Sequence, residues 1–299
     1  MTLERITPQN VCACLPARYA SHRLHGKLLF DIGGQSVLER TCRQVLKCKW
    51  ISRVYILTDH ERVANTMSAA GLGDNVEVIL NKIRTRNGTE RIGRNLSFIP
   101  EQFEIIVNIQ GDEPFVDPRN IDYVIQKHVA AHSAGSKEKD DIFFSTLHQR
   151  ITDLDYLQAT SCVKIIVNRR NNAMLFTRNV VPWNKDGIVR PGTKYFSCTG
   201  LYVYNRSRVE QYIALEDTQH QLEEDVEQMK VLEHGFVIKT FEAPYYNEIS
   251  VNTVNDYEML REKYGFTGDS GRASPVSSLS GTISDALVET EDAPWETAM

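Results

Sequence analysis

No run of about 18 or more apolar residues occurs in this chain, so no membrane-spanning helix is expected. The polar start "MTLERITPQN" lacks the apolar core of a secretory signal, and none is expected. Neither G-x-G-x-x-G nor G-x-x-x-x-G-K-[ST] follows any apolar run, which argues against a dinucleotide-dependent dehydrogenase and a Walker-type phosphate loop. Cysteine is present but never in C-x-x-C spacing. Cys12, Cys14, Cys42, Cys48, Cys162 and Cys198 therefore read as reduced thiols of a cytoplasmic protein. Cys12 and Cys14 lie two apart on an expected strand, face one side, and read as core. An excess of positive charge is also missing. The net charge is −5, and the last 33 residues, with six acids and one base, account for all of it. A body this close to neutral argues against nonspecific nucleic-acid binding.

What is present is an ordinary globular composition, 41% hydrophobic and 24% charged over 299 residues. The tail from residue 267 is acidic and rich in Ser and Gly, with too little apolar surface to offset its ordering entropy. The expectation is one domain over residues 1–266 and a disordered tail over 267–299.

Short β-branched runs alternate with amphipathic segments of helix length. "VCACLPA", "RVYILT", "NVEVIL" and "FEIIVNIQ" read as strands. "SVLERTCRQVLKC", "HERVANTMSAAG", "TERIGRNLSFI" and "PRNIDYVIQKHVAAH" read as helices. This order gives βαβ units and a mostly parallel sheet. After residue 140 "DIFFSTLH", "SCVKIIVN", "NAMLFTR" and "YFSCTGLYVYN" follow with few helices between them, which suggests an antiparallel insertion. One helix over "LEEDVEQMKVLEHG", a strand "FVIKTFEA" and a helix "NDYEMLREKYG" close the body. His128 and His132 sit four apart in "HVAAH" without the glutamate of H-E-x-x-H, and read as a solvated helix face.

In such sheets ligands sit beyond the carboxyl ends of the strands. The loop "ARYASHRLHGK" after the first strand carries Arg18, Arg23 and Lys27 and no acid. Guanidinium and ammonium groups contact phosphates directly, but a solvated loop explains the charge equally well. In "NIQGDEPFVDP" a strand ends at Gln110, and Asp112 follows as a hard-oxygen donor of the kind that holds Mg²⁺. In "RNGTERIG" Thr89 is expected to cap a helix whose amide end favours an anion. "SVNTVNDYE" is the fourth polar strand end.

Together these blocks resemble one family. "PARYASHRLHGKLL" is similar to P-A-R-x-x-S-x-R-L-P-G-K-x-L, "TDHERVA" to T-D-D-x-R-I, and "NGTERI" to S-G-T-D-R-I. "NIQGDEP" matches N-x-Q-G-D-E-P, "EEDVEQMKVLEHG" resembles the late L-E-Q-L-R-x-L-E-x-G helix, and "SVNTVNDYE" resembles V-D-T-P-E-D-L-E. The order and spacing are those of the 3-deoxy-manno-octulosonate cytidylyltransferase (CMP-KDO synthetase) family, from about residue 11 to residue 264.

The resemblance implies a Rossmann-like nucleotidyltransferase fold, a homodimer, and an enzyme of nucleotide-sugar and lipopolysaccharide biosynthesis using CTP and Mg²⁺. It implies that Arg18, Lys27 and Asp112 are catalytic. Nucleotide contacts fall on Arg18, Ser21, Arg23, Lys27, Gly88, Thr89, Arg91 and Gln110. Sugar contacts fall on Cys198, Tyr202, Glu224 and Gln228, and metal contacts on Asp112 and Asn252. Three positions depart from the pattern: Asn252 replaces aspartate, Cys198 replaces histidine, and His25 replaces proline. Asp256, one turn beyond Asn252, is a candidate substitute ligand. Three readings stand open: CMP-KDO synthesis, cytidylyl transfer to another acidic sugar such as an acylneuraminate, or a catalytically weak nucleotide-binding relative that acts as an interaction protein.

Overall fold

A computed structural model of the chain describes residues 6–20, 24–132, 141–190, 192–247 and 250–265. The tail expected from residue 267 lies outside the described residues.

Among the described residues nine strands form one mixed sheet. Strands β1 (Val11–Ala17), β2 (Arg53–Thr58), β3 (Val76–Leu80) and β4 (Ile105–Ile109) are parallel, in the order β3-β2-β1-β4. The sheet continues with β8 (Tyr195–Asn205), antiparallel to β4, then β5 (Ile142–Ile151) and β9 (Val237–Glu242). The hairpin of β6 (Lys164–Val167) and β7 (Ala173–Thr177) pairs with β8 through Lys164 and Ser197; of the four strands expected in an antiparallel insertion, these two lie off the main sheet order while β5 and β8 are part of it.

Residue type explains the strand order. Every residue of β1 and β4 is buried, as helices on both faces require of central parallel strands. β3, with an exposed Leu80 and three half-buried residues, takes the edge. Cys12 and Cys14 are fully buried on one face, as expected, and all six cysteines are free. The helices α1 (Val37–Val45), α2 (Glu61–Ala69), α3 (Gly88–Gly93) and α4 (Pro118–Ala131) lie where the spacing put them. Helix α3 is shorter than expected and passes into a 3₁₀ turn over Leu96–Phe98. Two helices had no clear sequence signal, α5 (Leu154–Gln158) and α6 (Arg206–Ala214).

The helix expected over "LEEDVEQMKVLEHG" is two helices, α7 (Gln219–Glu224) and α8 (Glu227–Glu233). Between them Asp225 adopts a left-handed conformation with φ 49°. Arg178 accounts for the break. Its Nε donates to the Glu224 carbonyl at 2.5 Å and its Nη2 to the Asp225 carbonyl at 2.9 Å. These carbonyls find their donors outside the helix, so the chain can turn without orphaning them. The final helix, α9 (Val254–Tyr264), closes the body. No helix among the described residues is long and apolar enough to cross a membrane.

His128 and His132 correct the sequence reading. His128 is fully buried and His132 nearly so, on the face of α4 that packs against β5 and β8. The His128 ring nitrogens meet Ser145 Oγ at 2.9 Å and Asn205 Oδ1 at 3.3 Å. His132 Nδ1 donates to the His128 carbonyl at 2.9 Å, and the rings lie 4.2 Å apart. Periodicity placed the pair on one face but could not show that β5 and β8 supply the polar partners that let it be buried.

Burial, reinforced by the neighbouring His132, holds the His128 pKa well below its ordinary 6.5. The folded state therefore binds fewer protons here than the unfolded chain. The stabilisation is intact above about pH 6.5 and is lost as pH falls below it. Thermal unfolding midpoints should fall from pH 7 to pH 5.5 in the wild type and fall less in His128→Gln; parallel slopes would contradict the buried neutral imidazole.

Candidate active site

A cleft of about 280 Å³ opens at the carboxyl ends of β1 and β4. From β1 the chain runs outward to β2 on one side, while β4 lies on the other, which makes this the switch point of the parallel half. Pro16 and Arg18 enter from the end of β1, and Gln110, Gly111, Asp112 and Glu113 from the end of β4.

Lys27 and Asp112 are joined. Lys27 Nζ donates to Asp112 Oδ2 at 2.5 Å and to the Val251 carbonyl at 2.7 Å, with both side chains largely buried. Gly26 makes the approach possible, since the turn before Lys27 needs φ +66°. Arg18 Nη1 donates to the carbonyls of Thr85 and Arg86, at 3.2 and 2.7 Å, which lays the guanidinium along the loop before α3. Ser21 and Arg23, expected beside these cations, lie outside the described residues.

Gln110 lies across the cleft floor. Its amide N–H donates to the Gly200 carbonyl at 2.9 Å and its carboxamide to Asn108 Oδ1 at 3.3 Å. A Cβ on Gly88 would stand 2.8 Å from Gln110 Nε2, so glycine there allows the contact. Glu113 is buried beside Asp112. Burial first, then the Asp112 charge, pushes its carboxyl up to about 7, while Ser250 Oγ donates to it at 2.6 Å.

Asn252 lines the cleft two residues from Ser250. Asp256 does not take its place as a cleft acid. Its carboxylate accepts the Asn252 and Thr253 amides, at 3.0 and 2.8 Å, as the capping box of α9. Gln228 and Tyr202 also line the cleft, and Gln228 Nε2 donates to Tyr202 Oη at 2.5 Å. Cys198 sits nearby with its thiol against Thr146 Oγ1 at 3.7 Å, and burial pushes its pKa up to about 12. It is a neutral, weakly polar group there.

The cleft thus brings together Arg18, Lys27, Gly88, Gln110, Asp112, Cys198, Tyr202, Gln228 and Asn252. Three expected residues are not in its lining. Arg91 is fully buried and pairs with Asp59 Oδ2 at 2.8 Å. Thr89 is buried within α3, its hydroxyl against Tyr204 Oη at 2.9 Å, and the cap is Asn87, whose Oδ1 accepts from Glu90 N at 2.8 Å. The Thr89 amide is taken by the Glu227 carboxyl group at 3.1 Å, so the protein supplies its own acceptor at that helix end. Glu224 binds Thr177 Oγ1 at 2.8 Å and the Arg178 amide at 2.6 Å.

Glu113, Arg178, Glu227 and Ser250 also line the cleft, and none of them was given a site role from sequence. Glu113 was legible as the neighbour of Asp112 in D-E-P. Glu227 and Ser250 lie inside the quoted blocks "EEDVEQMKVLEHG" and "SVNTVNDYE" without being picked out within them, and Arg178, just after β7, carried no local signal.

A family model described as cytidylyltransferase matches residues 12–242. The mitochondrial 3-deoxy-manno-octulosonate cytidylyltransferase of Arabidopsis thaliana is 33% identical over 250 residues, covering 84% of this chain and 81% of the relative. The corresponding enzyme of Protochlamydia amoebophila is 35% identical over 254 residues, covering 84% and 93%. A solved CMP:2-keto-3-deoxy-manno-octonic acid synthetase in complex with CTP is 27% identical, with a TM-score of 0.69 and coverage of 85% and 97%.

Proposed function

The chain belongs to the cytidylyltransferase family, and from that premise we infer that it transfers the cytidylyl group of CTP to 3-deoxy-manno-octulosonate (KDO). The sugar's anomeric oxygen forms a bond to the α-phosphorus, the bond to the bridging oxygen of the β-phosphate breaks, and CMP-KDO and pyrophosphate result. The observation that carries this reading is one cleft lined by both the Lys27–Asp112 pair and the Tyr202–Gln228 pair.

Arg18 and Lys27 are the groups to neutralise the triphosphate, with Ser21 and Arg23 from the same loop. Transfer of this kind needs charge neutralisation and in-line placement more than covalent help from the protein. Gln110 and Gly88 shape the nucleotide side. Cys198, Tyr202 and Gln228 face the sugar. Thr89, Arg91 and Glu224 act behind the lining, by holding α3, Asp59 and the end of β7.

Asp112 and Asn252 are the residues to hold Mg²⁺. Their oxygens are the hard donors that ion takes, and the ammonium of Lys27 between Asp112 and the Val251 carbonyl marks a spot that accepts positive charge. When bound, the ion neutralises phosphate oxygens. As Lys27 turns toward the phosphates, the Asp112 carboxylate is released from its partner. Cys198 favours a second reading, transfer to a different acidic sugar such as an acylneuraminate, because a neutral thiol cannot offer imidazolium charge to a sugar carboxylate.

A homodimer goes with this proposal; the exposed Met174, Trp183 and Ile188 supply apolar surface for it. A reducing compartment such as the cytoplasm suits the six free cysteines.

Asp112→Asn should abolish pyrophosphate release in a protein that still folds but with a lowered unfolding midpoint, because Lys27 loses its charged partner; near-native turnover would remove Asp112 from the chemistry. Arg18→Ala and Lys27→Ala should each weaken CTP by about tenfold or more, from the loss of a charge-assisted contact, with little change toward the sugar. Calorimetry that finds CTP affinity unchanged in both returns the loop to a solvated surface.

The neutral Asn252 leaves one carboxylate where the family pattern has two. Asn252→Asp should lower the Mg²⁺ concentration for half-maximal rate by about tenfold or more, since changes even to the outer-shell partners of a metal cost about 10–100-fold. Asp256→Ala should leave that concentration near the wild-type value, since Asp256 caps α9. A Mg²⁺ titration in which Asp256→Ala is the severe variant would reverse the assignment.

A further inference from the structure

Tyr19 follows Arg18 directly and is held from every side. Its amide donates to Asp59 Oδ1 at 3.1 Å, and its carbonyl accepts from Gly26 N at 3.1 Å. The second bond closes the loop on itself immediately before Lys27. The Tyr19 ring stacks on His60 with centroids 4.0 Å apart and an interplanar angle of 19°. It meets His25 edge-on at 4.8 Å and 87°. Its hydroxyl accepts from Arg62 Nη1 at 2.7 Å.

Two of these supports are themselves fixed. His60 caps α2, its Nδ1 accepting the Arg62 amide at 3.1 Å. Asp59 uses its other oxygen to bind Arg91, whose side chain is 1% exposed. The buried guanidinium therefore lies one carboxylate away from the backbone of the basic loop. His25, which stands where the related pattern has proline, restrains the loop by packing on Tyr19 in place of a fixed φ.

We propose that Tyr19 is the positioning residue for the phosphate-facing cations, setting Arg18 and Lys27 on either side of the Tyr19–Gly26 backbone bond, with Arg91 acting on it through Asp59. The role rests on the function proposed above. It follows from placement, because a displacement of about 1 Å in a group that orients the reactants can cost on the order of 100-fold in rate.

The test is calorimetric titration of the full chain with CTP, together with the KM for KDO, in the wild type, Tyr19→Leu and Tyr19→Phe. Tyr19→Leu removes the ring contacts and should weaken CTP about tenfold while the KM for KDO stays within about twofold. Tyr19→Phe keeps the stack and should stay within about threefold of wild type. Adding His25→Pro to Tyr19→Leu should recover a large part of the loss, because proline restrains the loop without the ring. Wild-type CTP affinity in Tyr19→Leu, or an equal loss toward CTP and KDO, would overturn the role. A wild type that binds no CTP at all would overturn the function itself, and this role with it.

Discussion

Lys27 holds its ammonium between the Asp112 carboxylate and the Val251 carbonyl, and by doing so joins three loops that are far apart in sequence. The basic loop after β1, the turn after β4 and the segment before α9 meet at this point. Removing either charge would leave the other largely buried and unpaired, a strongly unfavourable state. The same two groups are the ones the proposed chemistry needs, one for phosphate and one for a divalent cation. Their pairing keeps both charges satisfied and in place beside the buried Glu113, whose carboxyl is already raised toward neutrality.

Around this pair the site is built in two tiers. The lining contains the groups that would touch substrate. Behind it, Arg91 with Asp59, Thr89 with Tyr204 and Glu227, and Glu224 with Thr177 and Arg178 fix the loops. Several motif residues belong to the second tier. A charged or polar side chain within a recognisable block is thus a guide to the site but not to direct contact. Arg91 shows this most plainly, being a guanidinium with no place in the cleft lining and with two bonds between it and the loop.

The strands were legible because their signals are local. Short apolar runs, several of them rich in β-branched residues, marked all nine, and the full burial of β1 and β4 goes with their apolar character, broken in β4 only by Asn108. The cleft's position followed from the strand order. What the sequence could not carry was set by partners distant in the chain. Arg178 breaks the helix between α7 and α8 by taking its carbonyls. Ser145 and Asn205 turn His128 from a surface residue into a core one. Asn87 outcompetes Thr89 for the cap because it stands one residue before the first helical position. Asp256 looked like a spare metal ligand until its carboxylate proved to be closing the first turn of α9.

The central claim is that this cleft transfers a cytidylyl group to KDO despite a neutral Cys198 and a neutral Asn252. It is tested most directly by following pyrophosphate release from CTP and Mg²⁺ with KDO, with an acylneuraminate, and with no sugar. Release that depends on KDO, with CMP-KDO as the product, is the predicted result. Release with the acylneuraminate alone, or with neither sugar, would contradict the account.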